Sequence, residues 1–284
     1  MPDPRPSIAD KRRTFRQLHE AGCFAIPNPW DVGSARFLQG LGFKALATTS
    51  SGFAWSSARP DNGITREMAL AHLREIANAT DLPVNADFEN GFGADAAGVE
   101  DSVRLAVDTG VAGLSIEDST GDAAEPLFAL DVAVERIRAA RRAIDRAGGD
   151  TLLVGRAECF LVGRPDLDET IVRLQAYAQA GADCLYAPGI RSREQIAAVV
   201  AAVAPKPVNL LIGWTSEMTL ADAAALGVRR VSVGGALARS AWGGFIRAAQ
   251  LIAEQGRFDG FADAASGQEL NTFFRGDLAR RGAG

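Results

Sequence analysis

AGADCL, residues 180–185, joins the end of an amphipathic segment to a short apolar run through Gly181. A glycine can take the left-handed conformation that stops a helix, so these six residues read as helix, stop and buried strand. The same design recurs as LGFKAL at 41–46, TGVAGL at 109–114 and LGVRRV at 226–231. Filling in between these marks gives eight apolar runs, at about 23–26, 44–49, 83–87, 113–117, 152–157, 184–187, 207–211 and 230–234. Helical patterns alternate with them, at 66–78, 97–108, 132–147, 168–180, 193–202 and 220–226. Continuous apolar runs belong to strands buried on both faces, as in a parallel sheet. Eight such units predict an α/β fold, a (β/α)8 TIM-type barrel. A doubly wound open sheet would give the same alternation, but no GxGxxG follows the first strand, where a dinucleotide site needs glycines for close approach to the pyrophosphate.

In this reading residues 1–284 form a single (β/α)8 barrel domain, with 236–284 as a C-terminal helical extension. The extension carries a helical stretch at 236–255 and then Phe258, Phe261, Phe273 and Phe274. An apolar surplus on a barrel that already has its elements points to a subunit contact. The chain is 47% hydrophobic and 23% charged, which excludes disorder. Its formal charge of -5 argues against a nucleic acid partner, and the cluster Arg136, Arg138, Arg141 and Arg142 reads as the wet face of a helix. Cys23, Cys159 and Cys184 form no CxxC pair, and residues 1–20 are too polar for a secretory signal, so reduced thiols and a cytoplasmic location are expected. No apolar run approaches the ~20 residues of a membrane span, so no membrane partner is expected.

Reacting groups in such a barrel come from the C-terminal ends of strands and the loops after them. Those positions hold Thr48, Thr49, Ser50, Ser51 and Gly52, then Asp87 and Glu89, Glu117 and Asp118, Arg156 and Glu158, Tyr186 and Asn209. Side chains one apart along a strand share a face, so Asp87 and Glu89 can both point into the barrel mouth, where Glu117 joins them. Three converging carboxylates repel and need a cation. An all-oxygen set suits Mg²⁺ or Mn²⁺, and the two histidines, His19 and His72, both lie in helical patterns. A blander reading makes these acids loop solubilisers and a helix-capping pair, with Arg156 their structural partner. A guanidinium among acids in a barrel mouth also suits gripping a carboxylate or phosphate. Ser50 to Gly52 is either a simple turn or an anion cradle built from backbone N–H groups and hydroxyls.

These residues carry a resemblance. TTSSGFAWSSARPDNG after the second strand, ADFENGFG after the third, SIED after the fourth, GRAE after the fifth and GADCLYAPG around the sixth resemble the isocitrate lyase / phosphoenolpyruvate mutase superfamily. The resemblance covers about 24–245 and implies that Asp87 is a direct Mg²⁺ ligand. Glu89 then stands where the motif usually has a second Asp, and Glu117 where a water-linked acid sits. It further implies that Arg156 contacts the substrate, that Ser51 and Gly52 bind its carboxylate, and that Asp61 is an acid in a gating loop. C-terminal helices swapped between subunits, in a homodimer or homotetramer, belong to the same implication.

One departure bears on activity. Lyases of this superfamily carry a Lys-x-Cys-Gly-His type loop after the fourth strand, whereas residues 118–126 read DSTGDAAEP, without Lys, Cys or His. The mutase-type Lys and Asn are absent from that loop too, and the sixth strand ends in Ala187-Pro188-Gly189 with no histidine. What remains handles a small 2-oxo acid. Mg²⁺ chelated by a 2-oxo carboxylate stabilises an enolate, so a bond at the β-carbon becomes easier to break. The expected function is therefore a Mg²⁺-dependent lyase or decarboxylase acting on a small 2-oxo (di)carboxylic acid such as oxaloacetate. Arg156, Glu117 and Asp61 are its expected catalytic residues. Ser50, Ser51, Gly52, Asn209 and Tyr186 join Arg156 in binding substrate, and Asp87, Glu89 and Glu117 hold the metal. Tyr186, Cys159 and Glu158 are candidates for a replacement proton donor. The alternatives are a C–P bond phosphonomutase or hydrolase, and a non-catalytic protein that binds pyruvate, oxaloacetate or 2-oxoglutarate.

Overall fold

The computed structural model describes residues 5–282. Eight strands run parallel: β1 (Phe24–Ile26), β2 (Leu46–Ala47), β3 (Val84–Asp87), β4 (Gly113–Glu117), β5 (Leu152–Arg156), β6 (Cys184–Tyr186), β7 (Val208–Leu211) and β8 (Arg230–Ser232). Their order is β1-β8-β7-β6-β5-β4-β3-β2, and the Ala47 N–H donates to Pro27 O at 3.1 Å, which joins β2 to the residue just beyond β1. The sheet is thus the expected (β/α)8 barrel. Gly42, Gly110, Gly181 and Gly227, the four glycines of the repeated design, all have φ between 84° and 105°, the left-handed region that ends a helix.

Helices α1 (Ile8–Glu20), α2 (Val32–Gly40), α3 (Ser50–Ser56), α4 (Arg66–Ala79), α5 (Ala96–Val107), α6 (Leu130–Arg146), α7 (Leu167–Gln179), α8 (Arg193–Val203), α9 (Leu220–Ala225), α10 (Ala236–Gln255) and α11 (Gly267–Arg280) surround the sheet. Asp, Ser or Thr side chains cap the N-termini of nine of them, α6 and α10 being the exceptions. Outward residues of the strands, among them Leu114, Ile116, Leu153, Leu185, Leu210 and Val231, pack with the helices in the main core. Inward residues are a different population. Phe24, Ile26, Leu152 and Val154 form an apolar plug, and above it lie Asn85, Ser115, Asn209, Arg230 and Ser232.

Helix α1 closes the lower end. Its Lys11 donates to Ala77 O (2.9 Å) and Thr80 O (2.6 Å), Arg12 to Val107 O (2.8 Å) and Arg16 to Gly149 O (2.8 Å). These are carbonyls at or just beyond the C-terminal ends of α4, α5 and α6, where unpaired C=O groups favour cations. Phe15 lies over Gly113, where an added Cβ would come within 2.7 Å of its ring.

The helix bearing the arginine cluster is not wet throughout. Arg136 is buried, donates to Asn90 O (2.7 Å) and Gly93 O (2.9 Å), and lies 4.3 Å over the Phe128 ring. It braces the loop after β3 instead of facing solvent. None of the helices among the described residues is long and apolar enough to cross a membrane.

Candidate active site

A cavity of about 170 Å³ opens at the C-terminal ends of the strands and descends into the barrel. Of the residues expected in a site, it is lined by Ser50, Ser51, Asp61, Asp87, Arg156, Tyr186 and Asn209. Glu89, Glu117 and Gly52 do not line it. The volume suits a molecule much smaller than a dinucleotide or drug-sized ligand.

Arg156, the last residue of β5, organises the upper wall. Its Nη1 lies 3.1 Å from both Asp87 Oδ1 and Glu117 Oε2, its Nε pairs with Glu158, and its guanidinium sits 5.1 Å from the Tyr186 ring centroid. Register explains the gathering, since Glu117 pairs with Arg156 and Arg156 with Tyr186 across β4, β5 and β6. Burial works against the Arg156 charge, but Glu117 and Glu158 outweigh it and hold the guanidinium well above its ordinary range. Burial also pushes the Glu117 and Glu158 carboxyls up, against the pull of Arg156. The Tyr186 phenol is pushed up to about 12 by burial.

Asp87 is held from the other side. Its Oδ2 accepts from the Ser50 N–H (2.9 Å) and the Ser50 hydroxyl (2.8 Å), while its own N–H donates to Thr48 Oγ1 (2.9 Å). Ser50 therefore orients Asp87, with both its donors engaged there. The segment read as a turn or cradle is the first turn of α3, capped by Thr49, whose hydroxyl accepts from the Gly52 N–H at 3.3 Å. Gly52 faces the protein interior, where a Cβ would stand 2.7 Å from Thr49 Cγ2 and 3.2 Å from Ala238 Cβ. It permits α3 to pack on α10.

Glu89 departs from the expected shared face because β3 ends at Asp87 and the chain turns through a φ of 45° at Glu89. Its carboxyl is buried, Oε1 has no hydrogen-bond partner, and burial together with Asp87 and Asp61 pushes it up to about 8. Asp61 stands at the cavity rim, raised by partial burial and by Asp87.

Asp118 is structural. It accepts from the Tyr177 hydroxyl (2.5 Å), Arg173 Nη1 (3.2 Å) and the Glu158 N–H (2.8 Å), tying β4 to β5 and α7. Cys159 is buried off the cavity, as is Glu158. The 118–126 segment folds back through a Ser119–Leu127 bridge and contributes no residue to the cavity.

Sequence reasoning missed the lower wall: Asn28, Asn85, Ser115, Arg230 and Ser232. The available signal was the strand period, since Asn85 and Ser115 lie two residues before Asp87 and Glu117, on the same face. Asn28 Oδ1 accepts from the Val233 and Gly234 N–H groups, both at 2.9 Å, and so fixes the loop after β8.

A divalent cation can be tested against these donors. The side chains are all-oxygen, Asp87, Glu89, Glu117 and Glu158 outnumber the single Arg156, and the buried Glu89 Oε1 is orphaned, which together fit a hard cation. As placed, Asp87, Glu117 and Glu158 converge on Arg156 while Glu89 does not pair with it; no group of three or more His, Cys, Asp or Glu spaced to hold a metal ion occurs among the described residues.

Comparison with known proteins places the chain in a family. The family model described as phosphoenolpyruvate phosphomutase matches residues 15–253. An oxaloacetate decarboxylase of Paraburkholderia xenovorans is 31% identical over 231 residues, 78% of this chain and 74% of the relative. A crystal structure from Burkholderia cenocepacia J2315, described only as a lyase/mutase, superposes with a TM-score of 0.91 at 49% identity, covering 94% of this chain and 97% of that one. An oxaloacetate acetylhydrolase solved with its product oxalate gives 0.85 at 28% identity, covering 98% and 99%. On this match of sequence and barrel, the chain belongs to the phosphoenolpyruvate mutase/isocitrate lyase superfamily.

Proposed function

We propose that the protein is a divalent-metal-dependent carbon–carbon lyase acting on a small 2-oxo (di)carboxylic acid, with decarboxylation of oxaloacetate as its simplest form. The observation that carries this reading is a buried guanidinium, Arg156, set among Asp87, Glu117 and Glu158 on the wall of a small polar cavity. Relatives named for oxaloacetate decarboxylase and oxaloacetate acetylhydrolase support it.

Asp87, with Glu89 and Glu117 around it, would hold Mg²⁺ or Mn²⁺. Such an ion, when bound, supplies Lewis acidity to a 2-oxo carboxylate. The chain's own residues do the rest. Ser50 holds Asp87 in one orientation, the acids fix the plane of Arg156, and Arg156 and Ser51 offer donors to an anionic substrate. Loss of carbon dioxide needs no acid for the leaving group, and only the resulting enolate must take a proton. Tyr186 lines the cavity with its phenol protonated at neutral pH, which makes it the proton donor in this account.

The test is to follow oxaloacetate by NMR with the protein in Mg²⁺ and again in EDTA, each against the same buffer without protein. Acceleration of pyruvate formation by the protein, and only with metal, is the expected result. Equal acceleration in both conditions would contradict the metal, and no acceleration in either would contradict the lyase. A second reading, a protein that holds 2-oxo acids without turning them over, is favoured by the 118–126 loop, which offers the cavity no acid or base. Binding without product would select it.

A further inference from the structure

Arg230, the first residue of β8, is buried inside the barrel and lines the lower part of the cavity. Its Nε donates to Asn209 Oδ1 (2.8 Å) and its Nη1 to Asn85 Oδ1 (3.2 Å). Nη1 also meets His19 Nε2 at 3.4 Å. His19 Nδ1 lies 2.7 Å from Phe15 O, so it must donate there, which leaves Nε2 as a neutral acceptor for Arg230. The Phe15 ring centroid lies 5.9 Å from its guanidinium carbon.

Every one of these partners is uncharged. Among the described residues, the Arg230 hydrogen bonds run from Nε and Nη1 alone, to Asn209, Asn85 and His19, and no carboxylate pairs with it, whereas Arg156 has three carboxylates around it. The two cavity arginines are thus opposite cases. Arg156 is neutralised by the protein; Arg230 is a cation withdrawn from water with amide, imidazole and ring partners only. Removing a charge from water is costly unless it is compensated. The groups beside it are suited to an anion as well. Ser232 Oγ accepts from Asn209 Nδ2 at 3.0 Å, which leaves its own O–H to donate, and Tyr186 lines the same space. Asn209 and Asn85 are held by the guanidinium, so the polar floor is fixed before any ligand arrives.

We propose that Arg230, with Ser232 beside it, forms a carboxylate subsite at the floor of the cavity, which receives the second carboxylate of a dianionic substrate. The inference rests on the reading of this cavity as a 2-oxo acid site and makes it selective for dicarboxylates. A 2-oxo monocarboxylate would leave the Arg230 charge uncompensated. In oxaloacetate this second carboxylate is the group that leaves as carbon dioxide, so Arg230 stabilises the bound ground state and not the developing enolate; losing the contact should weaken substrate affinity without lowering the rate of the bound complex.

The test uses the full chain in Mg²⁺ buffer and calorimetric titration with malonate and succinate, which carry no 2-oxo group, against acetate and butyrate. The wild-type protein should bind one of the dicarboxylates at least about tenfold more tightly than either monoanion, the size expected for a hydrogen bond to a charged group. Arg230→Gln should erase that preference, and Arg230→Lys should keep part of it. Where oxaloacetate is turned over, Arg230→Gln should raise KM about tenfold or more with kcat unchanged or raised. Absence of a dianion preference in the wild type overturns the subsite, as does wild-type dicarboxylate affinity in folded Arg230→Gln. If Arg230→Gln does not fold, the wild-type comparison and Arg230→Lys still decide. The binding arm needs no turnover, so a protein that prefers dianions but forms no product keeps the subsite and loses the lyase. Turnover of oxaloacetate with unchanged KM in Arg230→Gln keeps the lyase and loses the subsite.

Discussion

Arg156 and Asp87 could be found from sequence because each ends a strand, where the barrel topology fixes both position and direction. Glu89 and Gly52 could not be placed in the same way, since each lies just past a strand end where the period of two no longer applies. A φ of 45° turns Glu89 into the protein, and Gly52 is already in the first turn of α3. Arg230 is the opposite case, a residue inside an apolar run, where a buried charge is not expected. His72 shows the energetic cost of a buried titratable group. It stacks on Phe53 with ring centroids 3.9 Å apart, its Nε2 has no partner, and burial pushes its pKa down to about 4. The unfolded chain protonates His72 near the ordinary 6.5, so its contribution to stability is complete above that pH and is lost as pH falls toward 4. The two values differ enough to make this on the order of 3 kcal/mol. Denaturant titrations at pH 7 and pH 4.5 should show His72→Phe losing less stability between them than the wild type; equal losses would contradict the assignment.

At the scale of elements, the strands were legible because runs of apolar residues have few alternatives, and the helix stops because glycine takes positive φ at little cost. Helix α1 was not, since its lower-barrel role depends on cations reaching the carbonyls of α4 and α5 from more than sixty residues away in sequence. Helix α3 was read as turn or cradle because seven residues after a strand carry little helical signal. The contact of α1 with the barrel gives a direct test. Gly113→Ala would place a methyl 2.7 Å from the Phe15 ring and 3.1 Å from Leu152 O, and the backbone oxygen cannot move aside as a flexible side chain would. A loss of about 1–3 kcal/mol in urea unfolding is expected. An unchanged midpoint would mean that α1 adjusts freely.

The whole molecule exposes an apolar strip on its last helices. Phe245 and Phe258 are 61% and 66% exposed, with Ile246, Phe261 and Leu278 also open to solvent. Phe273 instead returns to the barrel side, packing at 4.7 Å on Phe37, and Asp277 pairs with the buried Arg36 of α2. The aromatics of the extension therefore divide between an anchor and an open face. We infer that a second copy of the chain covers the open face, so light scattering of the purified protein should report two or four chains, and a monomer at micromolar concentration would contradict it. The measurement closest to the central claim compares oxaloacetate turnover by the wild type and by Asp87→Ala in saturating Mg²⁺. A loss of roughly 10²–10³ in kcat/KM with the fold intact is expected, the scale of removing one stabilising contact to a developing anion, because Asp87 would hold the cation that supplies it. Turnover undiminished in Asp87→Ala would contradict the assignment of chemistry to this cavity.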